Sequence, residues 1–398
     1  MTMKFSRSTI LTVFMIGTFA IGMTEYAVTG LLTQFAADLD VAVSTTGLLL
    51  SVYAISVAIC GPVLRILTVK FSPKPLLIAL MSIFIISNII AATAPNFEVL
   101  LLSRLLSATM HAPFFGLCMS IAVDISKPHK RTSAIAAVQG GLTIAIMLGV
   151  PFGSYIGGVL DWRLVFWFIA LMGLINLIGL IIITPNVKQK EVPKLKNELT
   201  VLKNKNVWML IAVIVFGFSG VFTAYTFTEP MLQEIAGFNV TSITIALFLF
   251  GTGAVIGNFV SGSIQPEVLT ERLILAMAIL GSVLIAFTFL LASPIFAYIA
   301  CFLFGAGTFG TTPILNAKII LAATEAPALS GTIAASVFNL SNSIGATLGS
   351  LLLTNAFSFR EITFIAGGMI FFGVLLLFVT HKVEDKSLFR TVEEAYDS

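Results

Sequence analysis

Charged side chains are scarce in this sequence. They make up 10% of its 398 residues, against about 25% in an average water-soluble domain. So little ionic surface cannot cover a core that faces water, which excludes a soluble globular enzyme and makes lipid the surrounding medium. The net charge of +3 is small and the basic residues sit in short segments, so no patch suited to nucleic acid exists. Cysteine is sparse as well. Cys60, Cys118 and Cys301 fall inside apolar runs without metal-ligand spacing and read as small buried hydrophobes, so neither a metal nor a cofactor is expected. A cleavable leader is also missing from the pattern. The first apolar run, from about Ser8, is too long for a signal peptide and leads into a second.

What is present is apolar: 58% hydrophobic residues, with 34 Phe and 31 Gly, a mixture suited to closely packed membrane helices. A helix needs about 20 residues to cross the hydrocarbon core, and only helices satisfy their backbone there without an edge. Apolar runs between polar breaks predict twelve spans. The first six cover roughly 8–33, 44–67, 75–95, 99–123, 132–158 and 163–184. The second six cover roughly 207–230, 241–263, 272–292, 295–316, 328–355 and 362–380. The expected fold is therefore an all-α integral membrane protein of two six-helix bundles. Residues 1–184 form the N-terminal bundle, 185–206 a Lys-rich linker, 207–380 the C-terminal bundle and 381–398 a tail.

Orientation follows from Lys and Arg. With the N-terminus in the cytoplasm, 19 of them fall on the inner side and only Arg163 and Arg360 on the outer, while Arg104 lies within a span. Such an asymmetry puts both termini and the linker in the cytoplasm. The linker lysines could rest on anionic lipid, but a solvated connector that sets topology is the plainer reading. Two equal halves are the plan of repeat-built transporters, whose substrate sites lie between the halves near the midplane.

Ionisable side chains deep in the spans narrow to Glu25, Arg104 and His111. A charge at the bilayer centre is costly, so such residues face a cavity or a partner. Glu25 and Arg104 fall at similar depth in the outer half, where they could pair, and His111 lies two turns deeper on the face of Arg104. One reading makes Glu25 a proton-carrying group whose affinity Arg104 biases, with His111 a second titratable candidate. The other leaves a static ion pair, or an interfacial acid, and a packing histidine. Tyr53, Tyr225, Asn258, Asn339 and Asn342 are candidates to line a cavity; Asn339 and Asn342 share one helix face.

The fifth span combines Gly141, Gly149, Pro151, Gly153 and Gly157. Three of the glycines recur every four residues and form a stripe for close helix contact, while Pro151 removes a backbone donor and should bend the helix. A hinge or a seal between the bundles is the expectation.

These residues carry a family resemblance. Gly141–Gly158 (GLTIAIMLGVPFGSYIGG) resembles the antiporter motif of the major facilitator superfamily, found in its drug and metabolite exporters. Asp161-Trp162-Arg163 with Phe166 is similar to the signature that opens the sixth helix in that group, and Leu102–Phe115 resembles the fourth-helix motif whose Arg, here Arg104, is linked to proton transfer. Thr24–Leu50, Gly305–Lys318 and Ala335–Gly349 are similar to the twelve-helix arabinose-exporter-like branch of drug and metabolite:proton antiporters. Two departures stand out: Val69 and Pro266 occupy loop positions where the superfamily usually has an Asp, ahead of Lys70 and Lys74 in the first case.

The resemblance implies a monomeric, multi-pass carrier in a bacterial cell membrane that exchanges a small organic molecule for protons by alternating access. A polar metabolite such as an opine-type metallophore is the favoured cargo, a multidrug:proton antiporter the alternative, and an uptake symporter of the same fold a second. The excess of Lys over Arg (14 against 8) fits a low-GC bacterial source.

Overall fold

A computed structural model describes residues 5–68, 71–127, 131–185, 204–262, 264, 268–322 and 327–396. No strand occurs among them. The first six long helices are α1 Arg7–Tyr26, α2 Leu48–Thr68, α3 Pro73–Ala92, α4 Phe97–Asp124, α5 from Arg131 and α6 Trp162–Ile183. The second six are α7 Lys205–Tyr225, α8 Val240–Gly262, α9 Leu269–Leu290, α10 Pro294–Ala322, α11 Pro327–Thr354 and α12 Phe359–Tyr396. Ten described stretches are long and apolar enough to cross a membrane; one of them, Ala137–Ile183, has 47 residues and contains both α5 and α6. The length of such a stretch, at 1.5 Å per residue, covers the hydrocarbon twice.

Helix ends are set by local chemistry. The Asn96 side chain accepts from Val99 N–H at 3.0 Å and starts α4, and Asp161 accepts from Arg163 N–H at 2.8 Å and starts α6. Several span edges differ from the sequence expectation, and two of them matter for the site or the domain plan. The seventh span ends at Tyr225 rather than near 230, because the chain turns there and restarts as the short helix Thr228–Glu234. The segment after 380, expected as a tail, continues α12 to Tyr396. Val69, Lys70, Pro266 and most of the linker lie outside the described residues.

α5 is not a uniform helix. Its regular part Arg131–Ile144 passes into a π-turn at Ala145–Gly149, then Val150–Ile156, then a second π-turn at Gly157–Asp161. Pro151 cannot donate to the carbonyl four residues back, and the widened turn just before it absorbs the register error, with Val150 N–H bonding Ala145 O. The sequence predicted a bend here; the structure shows a local π-widening.

Burial is arranged for lipid. Phe259 is 76% exposed and Leu160 66%, while Arg104 is 1% exposed and Glu229 0%. Apolar side chains cover the outside and the ionisable ones turn inward, the reverse of a water-soluble protein. Within the second half, α8 and α10 approach until Gly253 and Gly257 meet the carbonyl oxygens of Phe302 and Ala306, so neither position has room for a side chain.

Candidate functional site

Between the two halves of the chain, α1, α2 and α4 face α7 and α11 around a cavity of about 20 Å³. Glu25, Tyr26, Tyr53, Arg104, Tyr225 and Asn342 line it. That volume holds about one water molecule and no organic substrate.

Arg104 is its best-held group. One guanidinium nitrogen, Nη1, donates to the Thr24 carbonyl, and the guanidinium carbon stands 4.3 Å from the centre of the Tyr53 ring. A desolvated cation over an aromatic face is attracted to it by roughly 2 kcal/mol. Nε and Nη2 are buried with no hydrogen-bond partner, so part of its donor capacity is unused. Thr24 is fixed in turn by its hydroxyl, which donates to Asn88 Oδ1 at 3.0 Å.

His111 completes the group from one turn-pair deeper on α4. Its Nδ1 lies 3.0 Å from the Tyr53 hydroxyl and 3.8 Å from Glu25 Oε2. The direct Glu25–Arg104 ion pair expected from their depth is not formed. Arg104 is taken up by the carbonyl of the residue before Glu25, and the basic nitrogen in ion-pair range of the carboxylate belongs to His111.

The cavity candidates divide. Tyr53, Tyr225 and Asn342 line the space, and Asn342 Oδ1 is buried without a partner. Asn339, one turn away, bonds its own helix at Ala335 O, 2.9 Å, and Asn258 lies on an exposed face of α8; neither reaches the cavity. Tyr26, directly after Glu25, also lines the space, with Leu50, Ala54 and Phe222, and none of the four stood out in the sequence pattern.

The glycine stripe of α5 has a different partner from the one expected. Gly149, Gly153 and Gly157 meet Met23, Ala27 and Leu31, three α1-side residues with the same four-residue spacing, and Gly141 meets the α1 backbone at Met15 and Phe19. The stripe therefore locks α5 onto α1 inside the first half. It does not form the seal between halves. That contact uses the other face, where Gly158 meets Val240 and Gly251 meets Met147 and Ile146 on α5.

Polar ties between the halves gather toward the end of the molecule that carries Asp38. Thr29 Oγ1 donates to the Tyr225 hydroxyl at 3.3 Å, and Thr33 N–H donates to Glu229 Oε2 at 3.1 Å. Both pairs are separated by 196 residues, as expected of parallel segments meeting in register. Ser51 on α2 bonds Thr347 and, at 3.2 Å, Ser343 O on α11. At the rim, Arg163 Nη1 meets Asp38 Oδ2 at 2.7 Å, Trp162 Nε1 donates to the same oxygen at 3.1 Å, and Arg163 Nη2 reaches Ala94 O. The Arg163 hydrogen bond holds the Asp38 carboxyl below its ordinary value, helped by Trp162. The Asp161-Trp162-Arg163 signature thus ties α6 to the connection between α1 and α2.

Residues 14–336 match the sequence profile described as the Major Facilitator Superfamily. The chain belongs to that superfamily. An uncharacterized MFS-type transporter of Bacillus subtilis, YfhI, is 45% identical over 382 residues, covering 96% of each chain. The inner membrane transport protein YdhP of Escherichia coli K12 is 32% identical and covers 94% of this chain and 96% of its own. Among solved structures, a bacterial homologue of the human lysosomal transporter Spinster, in an inward-facing occupied conformation, superposes with a TM-score of 0.72 at 15% identity, over 94% of this chain and 97% of its own. The fold is the twelve-helix major facilitator fold, and the protein is a multi-pass membrane transporter for small molecules, not an enzyme.

Proposed function

We propose that this superfamily member is an exporter that exchanges a small organic molecule for protons by alternating access, with Glu25 carrying the proton. The observation that supports this reading is the small cavity at the junction of the halves. It is lined by one acid, Glu25, and one guanidinium with unpartnered donors, Arg104, and His111 stands 3.8 Å from Glu25. A carboxyl in such a place is pulled two ways: burial favours its neutral form, and neighbouring cations favour its ionised form. When the halves rock and the cavity admits water, the burial contribution falls. The same residue can then take up a proton in one state and release it in the other.

In this reading, residues 1–184 and 207–380 are the moving bundles, 185–206 joins them, and both termini and the segment 381–398 face the cytoplasm of a bacterial cell, so the Asp38 end faces out. The carrier works as a monomer. Antiport rather than uptake follows the motif at Gly141–Gly158; an uptake symporter would instead accumulate its cargo in energised cells.

The cargo is a polar metabolite with at least one acidic group, an opine-type metallophore being the favoured class. Arg104 Nε and Nη2 and Asn342 Oδ1 supply unfilled donors and an acceptor for such a zwitterion. Tyr26, Tyr53 and Tyr225 around Glu25 favour the second reading, an organic cation of the multidrug kind.

Comparative metabolomics of spent medium from cells with and without the gene, alongside drug-susceptibility profiles, separates the two. Proteoliposomes with an imposed pH gradient then test coupling. Full gradient-driven transport by Glu25→Gln would remove Glu25 from the mechanism.

A further inference from the structure

A second acid stands outside this cavity. Glu229 belongs to the short helix Thr228–Glu234, beyond the spanning stretch Lys205–Tyr225, and has no exposed surface. Both its carboxyl oxygens are held by a single residue of the other half. Thr33 N–H donates to Oε2 at 3.1 Å and the Thr33 hydroxyl bonds Oε1.

Among the described residues, the elements packed against Glu229 carry no cation. The helix of Glu229 packs on the turn Ala27–Gly30, on the helix Leu32–Asp38 and on α8. Among the described residues, those three elements carry one charged side chain, Asp38, which is engaged by Arg163 and Trp162. Its own helix adds Glu234, and the preceding turn adds the neutral Tyr225, whose hydroxyl meets Thr29. Removal of a carboxyl from water disfavours its charge, and a nearby Glu234 acts in the same direction. Burial accordingly pushes the Glu229 carboxyl up to about 7 against the opposing pull of the two Thr33 bonds.

Separation of the halves at the Asp38 end would draw Thr33 away and bring water to Glu229. The ionised form then gains its missing hydration, whereas the neutral form gains little. We propose that Glu229 is a proton-operated latch: as a neutral acid it keeps the Asp38 end shut, and as a carboxylate it releases that end to open. The sign is fixed by the direction of the shift. A group whose affinity for protons is higher in the closed state favours closure at low pH and loses that hold as pH rises through neutrality. In an exporter, a proton arriving from outside after cargo release would close the gate behind it. The proposal rests on the alternating-access part of the preceding reading and is independent of Glu25 as the coupled group.

The test reads distance, not transport. Ala37 and Gln233 are exposed on the two sides of this end. Spin labels at Ala37→Cys and Gln233→Cys are placed in the full chain, with Cys60, Cys118 and Cys301 replaced by Ala, in lipid nanodiscs. Double electron–electron resonance is then recorded at about pH 5.5, 7 and 8.5, a range that brackets titration near neutrality. The ratio of short to long distances should fall with rising pH by up to about tenfold per unit, the limit for one proton. Glu229→Gln, uncharged throughout, should hold the short distance at every pH.

Thr33→Val removes the hydroxyl donor and keeps the backbone N–H, so it should move the midpoint upward; it carries the test if Glu229→Gln does not fold. Glu25→Gln should keep this pH response even where it abolishes gradient-driven transport, so the two ideas fail separately. A distance distribution that does not change with pH, or a Glu229→Gln protein that still responds, overturns the latch.

Discussion

Glu25 and Glu229 both stand at the meeting of the two halves, the first with 12% of its side chain exposed and the second with none, yet their surroundings differ in kind. Glu25 sits among Arg104, His111 and three tyrosines that line a cavity. Glu229 is held by one threonine across a closed contact, with no cation on the elements packed against it. The first arrangement lets a charge persist and be modulated by what enters the cavity. The second penalises a charge whenever the contact closes. Identical side chains thereby acquire different tasks: one suited to exchange with cargo, the other to sensing whether one end is open.

The sharpest way to break this comparison is to neutralise each acid separately. Glu25→Gln should lower gradient-driven transport in proteoliposomes by more than about a hundredfold, the scale of losing an essential proton-transfer group. Energy-independent exchange of cargo should survive. Glu229→Gln should leave cargo affinity, read by titration in detergent, within about twofold while slowing net transport, because Glu229 does not line the cavity. Equal loss of affinity in the two variants would erase the distinction.

Arg104 sharpens the contrast from the cavity side. Arg104→Ala leaves the Thr24 carbonyl buried without its donor and strips the face of Tyr53. A stability loss of about 1–3 kcal/mol is expected from the unsatisfied acceptor. Thermal unfolding of the purified protein checks the loss, and Arg104→Lys, which keeps the charge but not the planar fork, should restore only part of it.

Helix contacts within the first half give the next effect in size. Gly141→Ala places a methyl against the backbone of Met15 and Phe19, which cannot move aside, whereas Gly149→Ala meets the flexible end of Met23. Gly141→Ala should cost about 1–3 kcal/mol, the range for overpacking, and Gly149→Ala less. A reversed order in thermal unfolding would contradict the contacts described for α5 and α1.

The smallest effect belongs to the rim. Asp38 has its carboxyl lowered by Arg163, so its contribution to stability is present above the ordinary carboxylate value and disappears as pH falls through the lowered one. Since the Asp38 side chain is 46% exposed, solvent screening limits that contribution to under about 1 kcal/mol. Asp38→Asn should flatten the acid limb of a Tm-against-pH curve and leave the neutral region nearly unchanged.

Much of this was legible along the chain. The near-absence of charge and the regular apolar runs required a helical membrane protein, and the depths of Glu25, Arg104 and His111 marked them as the ionisable groups that the spans had to shelter. The glycine spacing in α5 matches a row of close approaches to α1-side residues. Its partner was less visible, although Met23, Ala27 and Leu31 repeat the same interval. The significance of Glu229 was hidden because the expected span, roughly 207–230, put it at the membrane edge, where an acid ordinarily meets water.

Period and composition act within one segment, so the sequence by itself determined the medium, the helices and which few ionisable groups had to be sheltered. Only the tertiary structure decided who shelters them. Arg104 turned to a carbonyl rather than to Glu25, the glycine stripe of α5 closed on α1 while its other face met the opposite half, and Thr33 met Glu229 across 196 residues. Such choices depend on rotation and offset between helices. Those are set by the packing of all neighbours at once, and no single helix encodes them.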